Sequence, residues 1–139
     1  MFIKYLGITL FILITGSILY FSWVPNSHLS SLEWLPNWIT RWTDKEENSN
    51  IRTSVPMFLW GFFACYIFEI EKFTAKKIIV FSVAGFTLLL IAEGVQRFLP
   101  NRIPDWGDVI WGCIGLFLGI VSFVILKFSW WWIKKINYS

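Results

Sequence analysis

The chain has 139 residues, 56% of them hydrophobic, with 10 Trp, 14 Phe and a mean hydropathy of +0.60. A water-soluble domain of that length has too little interior to hide so much apolar surface, so lipid must solvate part of it. The net charge of +3 is small and dispersed, with no basic block of the kind that binds nucleic acid.

Residues 5–24 form an apolar run behind Lys4, long enough to span a bilayer as a helix. A secretory signal would need a small-x-small cleavage site after the run. Here Tyr20-Phe21-Ser22-Trp23-Val24 is bulky and aromatic, so the segment is expected to be retained.

The stretch from Pro25 to Arg52 is more polar, but Trp34, Trp38 and Trp42 recur within it at four-residue spacing, with Leu35 and Ile39 beside them. That stripe predicts a short helix. Its tryptophans either anchor at headgroup depth or pack on the ends of the other helices. Asp44 to Asn50 reads as a solvated turn with no role beyond solubility.

The next apolar run, 54–69, is short. Ser54 with Pro56 just behind it resembles a helix start, since proline loses nothing in the first turn. Glu69, Glu71, Lys72, Lys76 and Lys77 make a connection too short to cross back, so the following run, 78–99, is an antiparallel neighbour closed by Pro100. The last run, 108–132, ends in Trp130, Trp131 and Trp132 ahead of Lys134 and Lys135, an aromatic anchor with snorkelling cations.

These runs predict a single all-α membrane domain over residues 1–139. Four transmembrane helices form a bundle, with a short interfacial helix in the first outer loop. Lys4, Lys72, Lys76, Lys77, Lys127, Lys134 and Lys135 lie on the side of the termini, against five cations spread over a longer polar length opposite. The positive-inside rule then places both termini in the cytoplasm. All four arginines fall on the outer side, where their planar donor forks suit carboxylate or phosphate.

Polar chemistry concentrates between residues 93 and 119. Glu93 lies about 10 Å down its helix from Pro100, where a charge is costly unless paired or wetted. Either Glu93 pairs with Arg97 four residues on, or it is a functional acid facing the bundle interior with Gln96 beside it. Asp105 and Asp108 have the spacing of a capping box at the start of the last helix. One cap suffices, so Asp108 needs a further reason. Gly112, Gly115 and Gly119 then leave a smooth strip for close helix packing, within the bundle first, and otherwise for a second copy or an acyl chain. The third helix, turn and fourth helix form a hairpin at whose mouth Glu93, Gln96, Arg102, Asp105 and Asp108 are expected to converge as a headgroup site. Arg52 joins them from the second helix.

Cys65 and Cys113 sit in apolar runs as small buried side chains, and His28 is the only histidine. No metal or cofactor is implied by these residues.

Glu93-x-x-Gln96, a proline, Arg102, Asp105 and Asp108 three apart, and the glycine-studded helix after them resemble the signature hairpin of the VanZ-like family. The resemblance is specific from Glu93 to Gly119. It places the family's acid and amide on Glu93 and Gln96, its arginine on Arg102, its aspartates on Asp105 and Asp108, and its helix glycines on Gly115 and Gly119. Two departures stand out. Gly112 occupies the place of a family asparagine, and the family's Asp-Lys-x-x-His approach to the second helix is not reproduced after Asp44-Lys45.

What the resemblance implies is a bacterial cell-envelope role in the cytoplasmic membrane, linked in the name-giving member to teicoplanin resistance. Three functions follow as expectations. The first is binding of a membrane lipid, lipid-linked envelope precursor or lipoglycopeptide at the outward-facing site. The second is service as an accessory subunit with a membrane-protein partner or a second copy, docked through the glycine strip and tryptophan faces. The third is hydrolysis or transfer on a lipid-linked phosphate, with Glu93, Asp105 or Asp108 as base or metal ligand.

Overall fold

The computed structural model of the protein describes residues 2–68, 74–100, 102 and 104–137. Among the described residues five α-helices follow one another: α1 (Phe2–Trp23), α2 (Asn37–Thr43), α3 (Ser49–Phe68), α4 (Ala75–Gln96) and α5 (Trp106–Asn137). Single 3-10 turns at Leu29–Ser31 and Glu46–Asn48 flank α2, and no strand occurs among the described residues. Such a fold satisfies its backbone within each segment, as lipid requires. The connection containing Glu69, Glu71 and Lys72 lies outside the described residues.

Tyr5–Trp23, Ala75–Gln96 and Trp106–Ile136 are long and apolar enough to cross a membrane. The chain is a multi-pass membrane protein. The expected span 54–69 falls in α3, which is not among those three because its first turns carry Asn50, Arg52, Thr53 and Ser54. Yet α3 is the helix around which the others assemble. Its Met57, Trp60, Ala64 and Cys65 are buried, and they share a core with Ile18 of α1, Leu89 of α4 and Leu116 of α5. A helix walled by other helices needs less apolar surface than one facing lipid, because its polar groups meet protein.

Glycines bring α5 against α3 in parallel. A methyl at Gly115 would strike the Ser54 carbonyl, and one at Gly119 the Phe58 carbonyl. On the opposing helix a methyl at Gly61 would lie 2.7 Å from the Leu116 carbonyl oxygen. Gly112 faces elsewhere: it is filled by Leu89 of the antiparallel α4, whose Cδ2 would sit 2.5 Å from an added Cβ. All three glycines of the strip are therefore covered within the chain. On the other flank of α3, antiparallel α1 touches it at Gly7 beside Tyr66 and at Trp60, whose Nε1 donates to Thr15 Oγ1 at 3.0 Å.

Several local expectations are corrected. The third helix begins at Ser49, not Ser54, because the turn Glu46–Asn48 runs straight into it; Pro56 lies inside and deprives the Arg52 carbonyl of its helical donor. The tryptophan stripe is broken by Pro36, so α2 carries only Trp38 and Trp42. Trp34 sits in the preceding turn, its ring 6.2 Å from those of Tyr20 and Phe21 at the end of α1. The Asp44 segment is more than a solvated turn. Asp44 Oδ1 accepts the Leu29 N–H at 2.8 Å and Oδ2 the Ser30 N–H at 2.9 Å, pinning one side of the loop to the other. Finally, α4 ends at Gln96 rather than Leu99, tightening into a last turn that bonds Phe98 N–H to Val95 and Leu99 N–H to Gln96.

Candidate functional site

On α4, Glu93 and Gln96 share a face and are buried, at 8% and 4% exposure. Gln96 Nε2 donates to Glu93 Oε1 at 3.0 Å, and the Asp105 backbone N–H donates to Oε2 at 3.3 Å. Among the described residues these are the partners of Glu93. Of the two alternatives for Glu93, pairing with Arg97 is not made: Arg97 is exposed, while Glu93 is buried with Gln96 beside it.

Asp105 caps α5 as predicted, its Oδ1 accepting the Gly107 N–H at 2.7 Å. The reciprocal half of the capping box is not made. Asp105 N–H is taken by Glu93, while Asp108 turns to α3 and accepts the Thr53 hydroxyl at 2.8 Å. Asp108 thus ties two parallel helices together at their polar ends, which is the further reason its position required. Ser54 strengthens the same joint by donating to the Trp111 carbonyl at 3.0 Å.

Arg102 reaches across to α1. Its Nε donates to the Val24 carbonyl at 2.9 Å and its Nη2 to the Phe21 carbonyl at 3.1 Å. A cation there meets the last open carbonyls of a helix and the negative end of its dipole. Burial pushes the Arg102 guanidinium below its ordinary value, and the charge on Arg52 pushes it further, against the opposing pull of Glu93 and Asp108. Arg52 is held by the Ser27 carbonyl, 3.3 Å from its Nη1.

These side chains meet at one end of a cavity of about 430 Å³, within the usual range for small-molecule sites. Glu93, Gln96, Arg102, Asp108, Arg52 and Thr53 line its polar end. Leu10, Leu13 and Ser17 of α1 face Val55 and Leu59 of α3 along an apolar limb. Ile39 and Trp42 of α2, with Leu29, border it from the loops. Asp105 is not part of this lining. It borders a second cavity of about 220 Å³ with Arg97, Trp106 and again Glu93, so Glu93 alone of the expected acids touches both. Among the described residues no three His, Cys, Asp or Glu side chains gather as a metal-holding group.

A family model described as VanZ/LLP1 matches residues 2–127, from α1 well into α5. The chain belongs to the VanZ/LLP1 family. No curated protein and no solved structure matches it. The match to VanZ/LLP1 reaches far beyond the hairpin whose residues carried the resemblance, and it takes in the α1–α3 face of the cavity. At Gly112, where the resemblance led to an asparagine being expected, the Leu89 side chain occupies the volume a larger side chain would need.

Two contributors to the site escaped the sequence reading. Thr53 had no signal except its place beside Arg52. The Phe21, Val24 and Ser27 carbonyls carry no side-chain signature at all. The tryptophans divide by role: Trp42 lines the cavity, Trp34 stacks on α1, and Trp38 is 75% exposed.

Proposed function

We propose that the protein is a bacterial cell-envelope protein of the cytoplasmic membrane that binds a lipid headgroup, or the polar part of a lipid-bearing antibiotic of the teicoplanin type, at the Glu93–Arg102–Asp108 site. In this reading α3 crosses the bilayer as the fourth span and both termini are cytoplasmic, so the site faces outward. The single observation that carries it is the joining of a charged cluster, two arginines and two carboxylates, to an apolar limb open between helices.

The charges suit such a task. Guanidinium forks match phosphate or carboxylate oxygens, while Glu93, Gln96 and Asp108 offer acceptors for sugar hydroxyls or amines. Holding a headgroup needs no bond making, and no step of chemistry is assigned to these residues.

Native mass spectrometry of the protein, released gently from its own membrane, tests the reading. An anionic lipid or lipid-linked sugar should remain on the parent chain and be lost from Arg52→Gln. Full retention by well-folded Arg52→Gln and Asp108→Asn chains would end the proposal. In cells, expression of the parent chain should raise tolerance to teicoplanin, and Arg52→Gln should abolish that gain.

A further inference from the structure

Resting on that reading, we infer that the ligand is a phosphate-bearing lipid of the leaflet at the loop end, its phosphate between Arg52 and Arg102 and an acyl chain lying in the gap between α1 and α3.

The gap is a feature of how α1 leans on α3. The two helices touch along one line, with Gly7 under the Tyr66 ring, Phe11 against the Trp60 ring and Trp60 bonded to Thr15. Beside that line of contact, on the neighbouring face of each helix, the exposed Leu13 and Ser17 of α1 and the exposed Val55 and Leu59 of α3 line the cavity. Residues that both line a cavity and remain exposed describe a side portal rather than a closed chamber. The portal is apolar and faces where lipid must lie. From Leu10 to Phe21 the α1 lining rises about 16 Å, roughly half of a 30 Å hydrocarbon core. Its depth is therefore that of one leaflet, which suits a lipid tail entering sideways and leaves a short polar ligand with unused apolar wall.

The polar end selects the head. Two guanidiniums share the cavity, each anchored from behind by main-chain carbonyls of α1 and the loop after it. Among the described residues Arg102 uses Nε and Nη2 for that anchoring, which leaves the Nη1 donors for a ligand. Burial works against the Arg102 charge and the nearby Arg52 adds to that, while Glu93 and Asp108 support it. An added phosphate supplies charged oxygen acceptors for both forks. A neutral head supplies no such charge.

The full chain in dodecyl maltoside, incubated with a phosphatidic acid carrying a photoreactive group in its acyl chain, puts this to the test. The expected adducts lie on α1 between Leu10 and Phe21 and on α3 between Val55 and Leu59. They should fall about tenfold in Arg52→Gln, the loss expected for a charge-assisted hydrogen bond. They should fall equally in Ser17→Phe, which fills the portal without touching the charges. Unlabelled phosphatidic acid should compete, and diacylglycerol should not.

Adducts scattered over the lipid-facing sides of α4 and α5, with Arg52-dependent lipid still retained in native spectra, would overturn the chain path while leaving the headgroup reading intact. Competition by excess glycerol phosphate as strong as by the lipid would show that the site takes free phosphate esters, overturning the tail's part. Labelling indifferent to Arg52→Gln and displaced by diacylglycerol would overturn the phosphate, and with it the headgroup reading.

Discussion

Helix α3 has two unlike flanks. Toward α5 the seam is closed: Gly61, Gly115 and Gly119 let the backbones meet, and Thr53–Asp108 and Ser54–Trp111 bolt the polar end. Toward α1 it closes along Gly7, Phe11 and Thr15, and beside that line lies the 430 Å³ cavity. The difference lies in side-chain size at the crossing. Glycine permits backbone contact, whereas Leu10 and Leu13 on α1 and Val55 and Leu59 on α3 hold the backbones apart and leave room between them. One flank gives the bundle its rigidity and the other gives it a site.

The comparison can be broken first at its tightest point. Gly119→Val drives a branched side chain into the Phe58 carbonyl and should cost about 3 kcal/mol or more, read as a loss of thermal stability in detergent by tryptophan fluorescence. An equal substitution tolerated without loss would mean that the seam is not closed. On the open flank, Arg102→Gln removes the cation that ties the turn to the end of α1. It should cost about 2 kcal/mol and speed hydrogen exchange at the last turn of α1, while the α3–α5 seam keeps its protection.

Asp44 sharpens the contrast through pH. Burial alone would raise its carboxyl, but the Ser30 and Leu29 N–H groups outweigh it and hold the value below the ordinary 3.8. A lowered folded value means that this stabilisation is complete above the unfolded value and disappears as pH falls through the folded one. Melting temperature should therefore drop on acidification below 3.8. Asp44→Asn should begin about 1 kcal/mol lower and lose part of that acid sensitivity. The smallest effect has the opposite sign. An added methyl at Gly16 meets nothing within 4 Å, so Gly16→Ala should stabilise α1 by about 0.5–1 kcal/mol and leave ligand retention unchanged.

The far half of α5 gives a second contrast within one helix. The whole helix has 32 residues, about 48 Å at helical rise, longer than the run 108–132 implied. From Ile125 to Ile136 every residue is exposed. Lys134 and Lys135 lie 5.5 Å over the rings of Trp130 and Trp131, one turn back. The tryptophans and lysines at this end thus meet in local i, i+4 pairs, which depend on no other part of the fold.

Local chemistry determined much of this protein in advance. Apolar run length dictates helices in lipid, aspartate before an apolar run dictates the Asp105 cap, and the Glu93–Gln96 spacing dictates one shared face. Each depends on neighbours a turn away, so the chain itself carries the information. Only the tertiary structure decided what those groups then touch. It turned Asp108 from its own helix end to Thr53 and decided between the two alternatives for Glu93, giving it Gln96 and the Asp105 N–H rather than Arg97. It sent Arg102 to the carbonyls of α1, 78 and 81 residues distant. It also made α3, the least apolar of the long helices, the centre of the bundle. Hydropathy records what lipid would tolerate, and α3 packs against α1, α4 and α5, so its place was set by the glycines of α5 and the partners of its polar residues.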